Sequence, residues 1–194
     1  MARPTTAVLG FRPHTYWTAA VALAGPASAP QVLERRRIVF AEDLERFVYH
    51  QAAEAPAEAP VLIERVRKAT QANSAREIGM LVADLAGGGV GVRAAATAAA
   101  TAKVPSSLEG ILASHAAMHA AEGSFYRDVV AAGCEITGLA VTRVIEKALP
   151  AQVGAQLGLG EKALDAKLKA MGAALGPPWN EDYRLATLAA WTLL

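Results

Sequence analysis

The first forty residues alternate short apolar runs with polar breaks, a pattern that predicts three β-strands. Residues 6–11 are apolar, residues 12–15 form a polar break, and residues 16–24 are a second apolar run containing residues that favour strands. A stretch rich in Gly, Pro and Ser, residues 25–30, separates it from a third run, residues 31–40. Because the breaks are short, we predict an antiparallel meander.

Beyond residue 41 the apolar spacing becomes helical, with two further strands. We predict a helix over residues 42–53 and a helical region over 61–85, in which Ser74 and Glu77, spaced as a capping box, indicate a break. The small-residue run 91–101 is predicted as a buried parallel strand. A helix is predicted from Ser106 or Ser107 to Ala132, ended by Gly133 and followed by a strand over residues 134–141.

The remainder is predicted to be helical, over residues 151–157, 161–175 and 180–194, with Gly and Pro between the segments. The order of elements predicts an α/β fold, in which a three-strand antiparallel meander is followed by parallel strands, crossover helices and a helical C-terminus. We predict a single domain over residues 1–194, with the helices of residues 150–194 packed on it.

Composition adds three constraints. Hydrophobic residues make up 53% of the chain but aromatics only 6%, which indicates closely packed helices with small side chains. The net charge of +1 argues against a large phosphate-binding surface, although local basic patches remain open. Cys134 is the one cysteine, so an internal disulfide and a multi-cysteine zinc site are excluded, and we expect a buried, inert thiol.

The chain shows no apolar run of the roughly 20 residues that a membrane-spanning helix needs, so no membrane partner is expected. Residues 17–30 share features with a secretory signal, but an apolar segment already precedes Arg12, which breaks the order of charged and then apolar regions. We therefore expect a cytoplasmic protein. The alanine bias is typical of a GC-rich bacterial genome.

The segment VLGFRP at residues 8–13, with the strand that follows to Leu23, resembles the first hairpin of the RuvC-type resolvases, a branch of the RNase H-like superfamily. The order of elements resembles that fold as well. The resemblance implies carboxylates on the first strand, the fourth strand and the last helix, which hold two divalent metal ions for nuclease chemistry. Here Arg12 stands at the first of these positions, and residues 92–101 contain no acid. Glu181 and Asp182 match the third, so we expect the usual two-metal activity to be lost.

His115, His119 and Glu122 are the strongest candidates for a chemical site, and with Asp182 they are the candidate catalytic residues. Their spacing of four and three residues places the first three on one face of a predicted helix. Two imidazoles and a carboxylate are competent ligands for zinc or iron. A weak metal site, another ligand-facing patch and a solvated polar face all remain open.

Arg12, His14, Tyr16 and Trp17 crowd the first predicted hairpin turn and are the candidate ligand-binding residues. Cationic and aromatic groups together suit contact with a phosphate or a nucleotide, through charge and stacking. The alternative is a polar turn with Trp17 packed inward.

Three functions are compatible with these patterns. The first is a repurposed RNase H-like domain that binds a nucleotide, nucleic acid or protein partner without two-metal cleavage. The second is a metal-dependent hydrolase or nuclease that uses the His115, His119 and Glu122 face. The third is an interaction or scaffold protein whose small-residue helices form a homodimer. The sequence identifies no cofactor, because residues 87–89 lack the Lys and Ser or Thr of a phosphate-binding loop.

Overall fold

The structure, a computed structural model, describes residues 5–41 and 43–194. These residues form a five-stranded sheet of β1 (Thr6–Pro13), β2 (Trp17–Ala24), β3 (Gln31–Val39), β4 (Gly91–Ala99) and β5 (Val141–Ile145). The strand order is β3-β2-β1-β4-β5. The first three strands are antiparallel, whereas β4 pairs parallel with β1 and β5 parallel with β4. The predicted meander and the predicted parallel pairing of the later strands are therefore confirmed.

The helices of the described residues lie between and after the strands. They are α1 (Val48–Glu54), α2 (Ala59–Gly87), α3 (Leu108–Leu112), α4 (His115–Ile136), α5 (Leu149–Leu157), α6 (Glu161–Leu175) and α7 (Glu181–Trp191). A short 3₁₀ turn, Glu146–Ala148, directly follows β5. Within the described part of the chain, no helix has both the length and the apolar character needed to cross a membrane.

The sheet is covered on both faces, and β1 shows the alternation. Leu9 and Phe11 pack into a core with α1, α2 and α4, whereas Val8 packs on the opposite face with α5, α6 and α7. Ala95 and Ala96 of β4 are buried on opposite faces in the same way. Residues 95–98 of β4 are all buried, and a strand segment covered on both faces has no solvent-exposed side, which explains why it contains so few polar residues.

The crossing of α2 and α4 corrects two predictions. No break occurs near Ser74, because α2 runs without interruption from Ala59 to Gly87. Ser74 is buried where the two helices meet, and a Cβ added at Gly133 would lie 2.4 Å from its Oγ. Gly133 therefore does not end α4. It lies inside the helix because only a residue without a side chain allows this close approach.

The segment around α4 differs from the prediction at both ends. The predicted helix over residues 106–132 is two helices, because Ser107 caps α3 and Ser114 caps α4. The predicted strand over residues 134–141 is misplaced, since residues 134–136 are the last residues of α4 and β5 begins only at Val141. Gly138, with a φ of +81°, makes the turn into β5. Cys134 is buried as expected, and burial raises the pKa of its thiol to about 12.

The helix predicted over residues 42–53 begins later than expected, because α1 starts at Val48. Glu42 lies outside the described residues, and residues 43–47 are non-helical. The Tyr126 hydroxyl donates a 2.6 Å hydrogen bond to the carbonyl oxygen of Arg46. The loop of residues 43–47 is therefore held by a hydrogen bond from a buried residue of α4, and not by the backbone hydrogen bonds of a helix. The predicted C-terminal helices are present as α5, α6 and α7.

Candidate functional site

Arg12, near the end of β1, lies at the centre of a group of polar and charged side chains that we call the Arg12 cluster (Arg12, His14, Glu146 and Asp182). Its Nη1 donates a hydrogen bond to Asp182 Oδ1. Its Nε and Nη2 lie 3.3 and 3.4 Å from the two carboxylate oxygens of Glu146. His14 Nε2 lies 2.7 Å from the same oxygen of Asp182. One cation therefore joins two carboxylates.

The topology of the sheet brings this cluster together. Arg12 lies at the carboxyl end of β1 and Glu146 directly follows β5, so both lie at the edge where the parallel strands end. Asp182 lies in the first turn of α7, which packs across β1. A Cβ at Gly10 would lie 1.9 Å from the carbonyl oxygen of Ala186. Because Ala186 is about one helical turn beyond Asp182, this contact places the carboxylate beside Arg12.

The two carboxylates of the cluster stabilise the charge of Arg12. Burial by itself would lower the pKa of Arg12, but the hydrogen bond and charge of Glu146 and the charge of Asp182 outweigh it, so the pKa is raised. Arg12 therefore stays cationic, and both carboxylates are engaged with it.

A strip of aromatic and cationic side chains extends from the cluster over the first hairpin. The ring of His14 stacks on Trp17 at 4.2 Å between centroids, and the guanidinium of Arg37 lies 4.4 Å from the centroid of Trp17. The guanidinium of Arg46 lies 4.0 Å from the centroid of Tyr16, the one described non-glycine residue with positive φ. The four predicted ligand-binding residues therefore lie in one region. Within it, Trp17 packs against the side chains of His14 and Arg37.

A second arginine of this edge, Arg127 on α4, was missed in the sequence. It lines a cavity of about 130 Å³ with Ser124, Arg143 and several alanines at the end of β4. Its Nε is buried and has no hydrogen-bond partner among the described residues. Desolvation lowers the pKa of Arg127, the charge of Glu146 opposes this, and the charge of Arg12 lowers it further. No spacing distinguishes such an arginine from a solvated one, so sequence reasoning could not find it.

The predicted His115 and His119 lie together at the start of α4, and His50 of α1 joins them. We call these three residues the histidine cluster. Their ring centroids are 4.3 to 4.9 Å apart, and the possible ligand atoms all lie within 4.8 Å of one another. Glu122 is buried beneath them, where its Oε1 accepts a 2.8 Å hydrogen bond from His50 Nδ1.

The predicted catalytic residues therefore fall into two groups. Asp182 belongs to the Arg12 cluster, whereas His115, His119 and Glu122 belong with His50. His115 precedes Arg127 by twelve residues on α4, about 18 Å along the helix axis. His50 was missed because a single histidine on a short helix carries no spacing signal.

No protein-family model matches the sequence, and no curated protein matches it either. Solved structures do match in fold. A structure of RuvC from Thermus thermophilus is 10% identical, with a TM-score of 0.55 over 96% of this chain and 92% of that one. T. thermophilus RuvC in complex with a Holliday junction substrate is also 10% identical, with a TM-score of 0.54 over 96% of this chain and 91% of that one.

Proposed function

We propose that this chain, which has an RNase H-like α/β fold similar to that of RuvC, binds nucleic acid through its phosphates and does not cut it by a two-metal mechanism. The observation that carries the proposal is Arg127, which lies at the end of β4 and whose Nε has no hydrogen-bond partner among the described residues. One of the similar structures is a RuvC protein bound to a Holliday junction substrate, so a protein of this fold binds branched DNA.

The same edge argues against two-metal cleavage. Of the three positions where the resemblance places carboxylates, the first is Arg12, and β4 has no acid. At the third, Asp182 is paired with Arg12. A divalent cation here would lie beside a guanidinium and would compete with it for the carboxylate. Metal-ion catalysis needs fixed, available ligands, and we propose that this edge no longer supplies them.

Arg127 favours an anion as the partner of this edge. Arg143 lines the same cavity and is held by a 2.7 Å hydrogen bond to Asp128, whereas the Arg127 Nε has no partner among the described residues. Arg127 lines the cavity, so a phosphate group there would form a charge-assisted hydrogen bond with its guanidinium. The alanines around the cavity leave room for a phosphate group to approach.

The strip of aromatic and cationic side chains over the first hairpin favours contact with the phosphate backbone of a nucleic acid over recognition of its bases. Trp17 packs against His14 and Arg37, so it holds these side chains in place and does not present a free stacking surface. Phosphate contacts position a protein on nucleic acid without specifying sequence. We therefore propose binding with little sequence preference, and the net charge of +1 predicts contact with few phosphates.

The experiment measures binding of a fluorescent synthetic four-way junction, a linear duplex and a single strand as salt is raised from about 50 to 200 mM. We expect affinity to fall with salt, and Arg127→Ala to weaken binding and reduce the log–log salt slope by about 1. Arg65→Ala is the control, because Arg65 lies on α2 among the carboxylates of Glu45, Glu54 and Glu58. An absence of binding at low salt, or equal effects of the two variants, would overturn the proposal.

The cleavage part is tested separately, by incubating each DNA with the protein and Mg²⁺ or Mn²⁺. We expect no products above those of the buffer. Metal-dependent cleavage that Asp182→Asn abolishes would show that the edge is a nuclease site after all. The homodimer and the cytoplasmic location stay predictions.

A further inference from the structure

Three of the chain's four histidines meet on one surface, formed by α1 and the first turns of α4. His115 and His119 are exposed and half the side chain of His119 faces solvent, whereas His50 is largely covered. Phe47 lines the same open hollow, whose volume is about 280 Å³. Imidazoles gathered this closely bring several nitrogen lone pairs near one point, so the arrangement favours a cation that accepts them.

Glu122 determines which nitrogen of His50 is free. Glu122 is buried, with 2% of its surface exposed. Its ion-pair partners in the described part of the chain are His50 and His119. Because a carboxylate accepts hydrogen bonds, His50 Nδ1 carries the proton and donates it to Glu122 Oε1. His50 Nε2 is then left with a lone pair. That atom is buried and has no hydrogen-bond partner among the described residues.

We propose that His50, His115 and His119 bind a divalent transition-metal ion of the zinc class, with Glu122 as the positioning residue behind His50. A carboxylate that holds the far nitrogen of a metal-binding histidine is the usual supporting arrangement in such sites. Three imidazoles leave the fourth tetrahedral position open, and here it faces the hollow beside Phe47, where water or a ligand completes the coordination.

The spacing fits after a small adjustment. Three nitrogens each about 2.05 Å from a tetrahedral zinc ion lie about 3.3 Å apart, whereas the possible ligand atoms here lie within 4.8 Å of one another. Exposed side chains such as those of His115 and His119 close this difference by rotation about their side-chain bonds. The site is separate from the proposed nucleic-acid edge, because its nearest ligand on α4, His119, precedes Arg127 by eight residues, about 12 Å.

The test uses the full chain without a polyhistidine tag, stripped of metal by a chelator and dialysed. Zn²⁺ binding is measured by calorimetry, and Co²⁺ serves as the spectroscopic probe, because a four-coordinate cobalt site absorbs visible light far more strongly than the hydrated ion. We expect one ion per chain, a strong cobalt band and a higher melting temperature with zinc. The variants His115→Ala and His119→Ala are expected to fold, because both positions are exposed and lie near the start of a helix.

Each of these two variants is expected to lose the cobalt band and the zinc-dependent rise in melting temperature. Glu122→Gln, which keeps the shape but removes the charge, is expected to weaken zinc binding by about 10- to 100-fold. His14→Ala is the matched control, because His14 lies in the Arg12 cluster, and it is expected to bind zinc as the unchanged chain does. Absence of stoichiometric zinc binding, or equal binding by the double variant H115A/H119A, would overturn the proposal.

Discussion

Arg12 and Asp182 form an ion pair although they lie 170 positions apart in the sequence. The pair exists because α7 packs closely against β1, where Gly10 meets Ala186. Ala186 lies about one helical turn beyond Asp182 on α7. Both side chains are largely shielded, with 21% of Arg12 and 17% of Asp182 exposed. Their interaction is therefore less weakened by water than that of a pair on the open surface.

The first prediction is that Arg12 and Asp182 are energetically coupled. In a double-mutant cycle with Arg12→Met and Asp182→Asn, urea unfolding at pH 7 is expected to give a coupling energy of about 0.5–3 kcal/mol. The exposed pair of Arg36 and Asp84 is the comparison, and its coupling is expected to be at most about 1 kcal/mol and to fall with salt. Additive effects of the two substitutions at Arg12 and Asp182 would contradict the prediction.

The second prediction concerns the contact of α7 with β1. Gly10→Ala places a Cβ against the Ala186 carbonyl oxygen, which is backbone and does not rotate away. We expect the free energy of unfolding to fall by about 3 kcal/mol or more, because α7 has to move off the sheet. Thermal unfolding followed by circular dichroism measures the loss.

Gly87→Ala is the matched control for this change. Gly87 is the last residue of α2, and a Cβ there would have no neighbour within 4 Å. The control is expected to leave the free energy of unfolding unchanged or to raise it by up to about 1 kcal/mol, since alanine favours helix. Equal melting temperatures for the two variants would show that the close approach at Gly10 does not stabilise the fold.

The third prediction concerns alkaline pH and Tyr126. Desolvation, followed by the charge of Glu122, raises the pKa of this phenol above its usual value of 10 in the folded chain. A group whose pKa is raised on folding stabilises the fold at pH values below its unfolded pKa, and this contribution is lost as pH rises toward the folded pKa. The free energy of unfolding is therefore expected to decline above about pH 10.

Tyr126→Phe isolates this effect. At pH 7 the variant loses the hydrogen bond to the Arg46 carbonyl and is expected to be less stable by about 0.5–1.5 kcal/mol. Above about pH 10 its free energy of unfolding is expected to decline less steeply than that of the unchanged chain. Tyr16→Phe is the control, because Tyr16 is only partly buried. Parallel pH profiles for the unchanged chain and Tyr126→Phe would refute the assignment.

The local pattern of apolar and polar residues predicted an element well where the spacing of its apolar residues depends only on which of its faces is buried. The meander, β4 and the C-terminal helices follow from apolar runs and from Gly and Pro between them. The errors arise where a small residue serves a contact between elements. Ser74 and Gly133 were interpreted as a cap and a stop, but they are the two sides of the α2–α4 crossing. The pattern contains no information on that crossing.

The sequence by itself determined the type and order of most elements, because a strand and a helix bury their apolar residues with different periods. It also placed His115, His119 and Glu122 on one helical face, because that spacing is local. Only the tertiary structure decided that Asp182 meets Arg12, 170 positions away, and that Glu122 meets His50, 72 positions away. Such partners depend on how helices pack on a sheet, as at Gly10, and sequence spacing does not encode that packing.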